Sequence, residues 1–377
     1  MEKFILLKYF ALFALLLSYA NCSTKQSTSK KNNPKDAYYT VDDFQSVKKI
    51  DAHVHINTYD TALIQQAEDD NFRLLTINWD DINDPPSMEV QEKFALQQLK
   101  AFPDRIAYAT TFSIEEFNDD DWQEQTIDYL KHSFSEGAIA VKIYKVIGMS
   151  LRDKNNKLVM IDDPRFDRVI DFIVKNNISV VGHLGEPKNC WLPVEKMTIQ
   201  GDRGYFSGHP EYHMYLHPDF PSYEEQIDAR DRMLEKHPDL TFVGAHLGSL
   251  EWSVDELARR LDKFPNMAVD MAARISHLQY QAKTNWQDVH DFCIQYQDRL
   301  LYATDILVNG TETPSTIKKQ AHDIWLNDWR FFTADQEMQA PEVEGGFQGL
   351  KLPRAVIDKI FYKNAEKWFP GMIRDDQ

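Results

Sequence analysis

Three cysteines in 377 residues leave this chain almost no material for a disulfide framework. Apart from Cys22 near the N-terminus, only Cys190 and Cys293 remain. They allow one bridge at most, and both read as buried free thiols. Positive charge is also scarce, with 42 lysines and arginines against 59 acids and a formal net charge of −17. That balance opposes binding of the folded body to polynucleotides or anionic headgroups, so no nucleic-acid partner is expected. There is no internal sequence repeat, and the apolar run 9–17 is too short to span a bilayer comfortably.

That run follows Lys3 and Lys8 and reads as an export signal over residues 1–21. Cys22 at its end predicts lipid attachment and a membrane anchor, the pattern of a bacterial lipoprotein facing periplasm or exterior. Tyr19 and Asn21 depart from the usual residues before such a cysteine, and Ser18-Tyr19-Ala20 offers a conventional cleavage site that would release a soluble periplasmic or secreted protein. Residues 23–36 carry no aliphatic or aromatic side chain to bury, so 22–38 is expected to be a disordered polar tether ahead of a folded domain over 39–377.

Hydrophobic residues make up 43% of the chain, enough for a large core. Strand-like runs at 48–56, 72–78, 106–112, 138–144, 178–184, 240–247, 267–271 and 300–305 alternate with amphipathic segments at 87–101, 121–134, 164–175, 223–235, 254–263 and 286–296. Alternation of this kind predicts a parallel sheet with helical crossovers, and eight strands predict a closed (β/α)8 TIM barrel. Two connections are long for such a barrel, 186–221 after strand five and 308–352 after strand eight. Loops that follow strands lie on the active-site rim, so both are expected to wall or cover a site.

Four of the runs end on groups that bind metal. His53 and His55 lie two apart in IDAHVHI and should share one strand face with Asp51, leaving Ala52, Val54 and Ile56 for the helical layer. His183 and His246 each close an apolar run and precede Leu-Gly, and Asp305 closes the last run. Imidazole and carboxylate groups gathered on one rim suit a divalent, zinc-like ion with a position left for water. Lys142 should point into the barrel, since Ile139, Val141 and Ile143 make the opposite face, where it would contact substrate or pair with an acid such as Asp270. Arg274, just past strand seven, is a candidate to hold an anionic group of the substrate. His209, His213 and His217 are spaced by four, but Pro210 and Pro218 interrupt any helix that would align them as a second metal site.

With HxH on the first strand, histidines ending strands five and six and aspartate ending strand eight, the chain resembles the amidohydrolase superfamily. It is most similar in pattern to the amidohydrolase-2 branch, which includes the aminocarboxymuconate-semialdehyde decarboxylase group. The closing DKIFYKNAEKWFP looks like that branch's terminal helix. The resemblance implies His53, His55, His183 and Asp305 as metal ligands, with His246 and Asp305 as the catalytic pair. It implies one divalent metal, zinc or else manganese, and, in binuclear relatives, a carbamylated lysine at the position of Lys142. A small-molecule ester, lactone or amide is the expected substrate, and a second copy of the chain, as a homodimer, is a candidate partner. The branch's metal site also serves non-oxidative decarboxylation of unsaturated or aromatic acids, and a tethered binding protein without catalysis is the third reading.

Overall fold

The computed structural model describes residues 37–81 and 86–373, so the expected signal segment, Cys22 and nearly all of the tether lie outside the described residues. Tyr38 already bridges Pro353, and the Ala37 carbonyl accepts from the Arg354 N–H at 2.9 Å, so pairing with the body begins ahead of the expected boundary at 39. Among the described residues no helix is long and apolar enough to cross a membrane.

The strands are β1 (Lys49–Ile56), β2 (Phe72–Ile77), β3 (Ile106–Thr110), β4 (Ala140–Ile143), β5 (Ser179–Gly182), β6 (Phe242–Gly244), β7 (Met267–Asp270), β8 (Leu300–Leu301) and β9 (Ile306–Val308). They form one parallel sheet in the order β8-β7-β6-β5-β4-β3-β2-β1-β9. β8 opens the eighth run read from the sequence, 300–305, and β9 begins just past its end; together they make one broken strand, interrupted where Asp305 takes a left-handed φ of 69°. The first half pairs with β7 and the second with β1. Between them the Ala52 N–H donates to the Tyr302 carbonyl at 3.1 Å, and the Asp305 N–H to the His53 carbonyl at 2.9 Å. The sheet thereby closes on itself as an eight-stranded barrel.

Alternation sorts the strand residues into two layers. An inner cluster draws small side chains from around the barrel, among them Ala52, Ala107, Ala109, Ala140, Ala268 and Ala303, while Val54, Leu74, Ile106, Val141 and Val180 join the outer core with the helices. Trp368, Phe369 and Met372 pack against the inner cluster, and Ser179, the first residue of β5, donates to the Trp368 carbonyl at 2.6 Å. The terminal segment therefore plugs the barrel at its strand N-terminal face and leaves the other face for function. It is helical over Arg354–Asp358 and Asn364–Trp368, with a π turn at Lys359–Lys363 between.

Strand β1 departs from simple alternation. Its pairing with β2 slips between Asp51 and Val54, a bulge that shifts the phase of the side chains beyond it. Ala52 packs in the inner cluster, and Asp51 accepts from Trp325 Nε1 at 2.9 Å. The expectation that Asp51 shares the histidine face and Ala52 the helical face is thus corrected, because the bulge resets the register just before His53.

The expected helices form with ends moved by a few residues: Met88–Ala101, Trp122–Ser135, Asp167–Lys175, Tyr223–Lys236, Val254–Lys263 and Trp286–Gln295. Asp163 caps the short turn before one of them, accepting from the Arg165 N–H at 3.0 Å. The structure adds helices Ala62–Asp69, Ile275–Thr284 and Pro314–Thr333, and a hairpin of β10 (Glu337–Ala340) and β11 (Val343–Gln348). The last helix and the hairpin make up most of the long connection after the eighth strand. Cys190 and Cys293 are buried free thiols.

Candidate active site

At the strand C-terminal face, His53, His55 and Asp305 bring ligand atoms within 4.8 Å of one another. Asp305 Oδ1 lies 3.2 Å from His55 Nε2 and 3.6 Å from His53 Nε2, and Asp305 Oδ2 lies 4.0 Å from His246 Nδ1. The His246 ring is 5.2 Å from that of His53 and 4.2 Å from that of His183. His183 is placed beside His246 and outside the tight trio. Its Nε2 is buried without a hydrogen bond, and the nearest carboxylate, Glu186 Oε2, is 3.7 Å away.

Three imidazoles are anchored through Nδ1. That nitrogen meets Asp270 Oδ2 at 2.8 Å in His53, the Ile77 carbonyl at 2.6 Å in His55, and the Ala272 carbonyl at 2.9 Å in His246. Each anchor accepts a hydrogen bond, so Nδ1 carries the proton and Nε2 presents its lone pair, the tautomer that metal ligation needs; in His53 that lone pair meets Lys142 Nζ at 3.2 Å. The orphaned Nε2 of His183 adds a fourth donor. Burial lowers the pKa of His53 and His246, and it pulls His183 down to about 3 against the opposing pull of Glu186, so all three are neutral at pH 7. Burial would raise Asp305, but His246, His55 and His53 hold it well below the usual carboxylate range. Neutral imidazoles with an ionised carboxylate are the donors a divalent ion takes, so the residues present fit one.

Local backbone geometry serves this placement. His246, Leu247 and Ser249 all have positive φ, between 56° and 60°, in a left-handed turn right after β6. His246 therefore does not continue the strand, as the run 240–247 suggests. Its N–H donates to Asp270 Oδ1 at 2.9 Å, which fixes the turn over the barrel. Asp51 braces Asp305 from the flank, accepting from the Thr304 N–H at 3.0 Å and the Thr304 hydroxyl at 2.6 Å.

Lys142 is buried with Nζ 3.2 Å from His53 Nε2, and burial lowers it to about 8 despite Asp270 and Asp305. It does not line the open cavity above the cluster. Arg274 does, in a cavity of about 670 Å³ that His183, His246 and Asp305 also line. Burial would lower Arg274, but Asp202, Glu251, Glu186 and Asp305 more than offset it. Both long connections contribute walls: Asp202, Tyr205 and Phe206 from the first, and Asn327, Asp328 and the hairpin from the second. They meet where the Gln200 N–H donates to the Glu342 carbonyl at 3.0 Å.

The three spaced histidines do not gather. His213 Nε2 and His217 Nε2 meet the Leu192 and Pro210 carbonyls at 2.8 and 2.9 Å, and His209 faces Glu211. The anchoring role of Asp270 on His53 and His246 was not read from the sequence, although its inward phase two residues after Ala268 is visible there. Neither was the buried ion pair of Lys145 with Glu186, which has no local signal.

The amidohydrolase family profile matches residues 50–371, nearly the whole described body. The chain belongs to the amidohydrolase family. This amidohydrolase is an enzyme of the superfamily, with the metal dependence that membership carries. Among solved structures it is similar to a 5-carboxyvanillate decarboxylase from Novosphingobium aromaticivorans with bound manganese, at 13% identity over 87% of this chain and 98% of that one, TM-score 0.48. A 4-oxalomesaconate hydratase from Rhodopseudomonas palustris aligns at 13% identity over 86% and 96%, TM-score 0.47. An amidohydrolase from Mycobacterium avium subsp. paratuberculosis aligns at 14% over 82% and 72%, TM-score 0.43. No curated protein matches the chain significantly.

Proposed function

We propose that this amidohydrolase hydrolyses a small-molecule ester, lactone or amide, with one divalent ion, zinc in our reading, held by His53, His55, His183 and Asp305. The position of Asp305 carries the reading. Its carboxylate touches the histidine cluster with one oxygen, turns the other toward His246, and lines the cavity where a substrate would sit. A divalent ion, once bound, supplies Lewis acidity and draws the pKa of coordinated water from about 15.7 toward 7.

The chain's own groups do the rest. Asp305 takes the proton of the attacking water and returns it to the leaving group. His246, with Nδ1 committed to the Ala272 carbonyl, orients the water or the substrate carbonyl through Nε2. Arg274 holds a carbonyl or anionic oxygen of the substrate from the cavity wall, and Lys142 acts from beneath, against His53. The same Arg274 is the observation favouring the second reading, non-oxidative decarboxylation of an unsaturated or aromatic acid, since a guanidinium seats a carboxylate well.

Metal-loaded protein incubated with aryl esters, lactones and anilides, and separately with unsaturated and aromatic acids, decides between them. Release of acid from the first set without carbon dioxide from the second is the expected result. Carbon dioxide without ester, lactone or amide cleavage would replace the hydrolase by a decarboxylase. Metal and ligand binding with no turnover of either set would leave a binding protein.

A further inference from the structure

The cavity has a charge that its metal cluster alone does not explain. Six carboxylates line it, those of Glu186, Asp202, Asp305, Asp323, Asp328 and Glu342, against two cationic side chains, Lys145 and Arg274. One divalent ion halves that negative excess and does not remove it. Protonating one carboxylate as well still leaves the cavity negative.

The two cations are already answered by protein. Lys145 is buried in an ion pair with Glu186. Arg274 sits in the field of Asp202, Glu251, Glu186 and Asp305, which hold it protonated. The carboxylates are not answered to the same degree. Asp202 is matched by His277 at 3.2 Å and Asp323 by Lys319, but no ion-pair partner reaches Asp328 or Glu342 among the described residues. Asp328 accepts one neutral hydrogen bond, from the Tyr302 hydroxyl at 2.9 Å. Glu342 stands at the turn between β10 and β11, where its carboxylate occupies the space a side chain at position 201 would take: a Cβ built on Gly201 would lie 2.4 Å from Glu342 Oε2. The glycine lets that carboxylate stay at the cavity wall. Apolar surface completes the lining, from Ile199, Phe206, Ile275, Met338 and Phe347.

Bringing an organic dianion into this space would set like charges side by side in a partly desolvated cavity, an unfavourable arrangement. An organic cation would neutralise it. We infer that the cavity takes a carbonyl compound bearing an ammonium or guanidinium group, the cation lying against Asp328 and Glu342 and the apolar portion against Phe206 and Phe347. For the bond that is broken this rests on the hydrolase reading; for the charge that is bound it does not. It disfavours carboxylate-rich acids as substrates.

Three benzamides that differ only in the para group test the assignment by equilibrium binding: 4-(aminomethyl)benzamide, 4-(hydroxymethyl)benzamide and 4-carbamoylbenzoate, titrated calorimetrically into metal-loaded protein at low ionic strength and at about pH 8, where Asp328 is ionised and the amine still protonated. The aminomethyl probe should bind about tenfold tighter than the hydroxymethyl probe, with the carboxylate weakest, and the preference should shrink as salt is added. Asp328→Asn should collapse the preference. Because that change disturbs a buried hydrogen bond, Glu342→Gln, on the hairpin turn, is the second variant and should reduce it as well. Equal affinities, absence of binding by all three, a carboxylate preference, or a cation preference untouched in both variants would each overturn the charge assignment. The hydrolase reading is tested separately, by turnover. A cation preference in a protein that cleaves no ester, lactone or amide would leave the charge assignment standing and remove only the reaction.

Discussion

Asp270 holds three groups at once: His53 Nδ1 on one oxygen, and the N–H groups of His246 and Ala272 on the other, the last at 3.1 Å. In Asp270→Asn the amide nitrogen would face either the His53 Nδ1–H or two backbone donors, and relief comes most simply by moving the histidine proton to Nε2. That removes the lone pair the metal needs. Metal affinity should fall roughly 10- to 100-fold, read by competition with a chromophoric chelator, while the fold persists. An unchanged affinity would show that Asp270 does not set the tautomer. His183→Ala should lose metal and activity together, and full occupancy by elemental analysis would remove His183 from the ligand set. His246→Asn, by contrast, should keep much of the metal and lose about 2.7 kcal/mol of transition-state stabilisation, roughly a hundredfold in rate. If it strips the metal instead, His246 is a ligand.

Helix Pro314–Thr333 carries Trp325 to Asp51 and Asp328 to Tyr302, so one element buttresses the site and walls the cavity. Burial first, then the nearby charge of Asp51, pushes Asp328 up to about 7. In the unfolded chain it titrates near 4. Between those values the native state binds more protons than the unfolded one, so this group's contribution to stability is full below about 4 and is lost as pH rises through 7. Asp328→Asn should remove that component: in urea titrations the variant should gain on the parent as pH goes from 4 to 8. A constant difference would mean that Asp328 is ionised throughout. This helix was legible in principle, since Ile317, Ala321, Trp325 and Trp329 recur every fourth residue after a Thr-Pro start, yet the stretch reads as connection because no further barrel strand follows it. The bulge in β1 was not legible. It is a property of pairing with β2, and β1 alone shows only an alternation that the fold then breaks.

At the scale of the whole molecule, the barrel was legible because β1 to β8 are buried on both faces almost throughout and so stand out as apolar runs. Their C-terminal limits were not. His183, His246 and Asp305 lie just beyond β5, β6 and β8, and the backbone turns that aim His246 and Asp305 put positive φ on those residues themselves, which are not glycine. The tether and its anchor rest on sequence alone. Acylation at Cys22 predicts a diacylglyceryl-modified cysteine as the first residue of the mature protein and recovery in the membrane fraction, several acyl chains being needed for stable attachment. Mass spectrometry that finds a free N-terminus at Asn21 or beyond would mean conventional secretion.

The split eighth strand has a consequence for assembly. Asp51 and Thr304, bonded side by side at the seam, are 253 residues apart in the chain, and Asp305 reaches His53 only across that same seam. A nascent chain carries its HxH pair long before the carboxylate arrives. If the ion is held as proposed, tight metal capture and barrel closure would be one late event, and a metal present during refolding would act as a latch on the last strand rather than as a seed for the first.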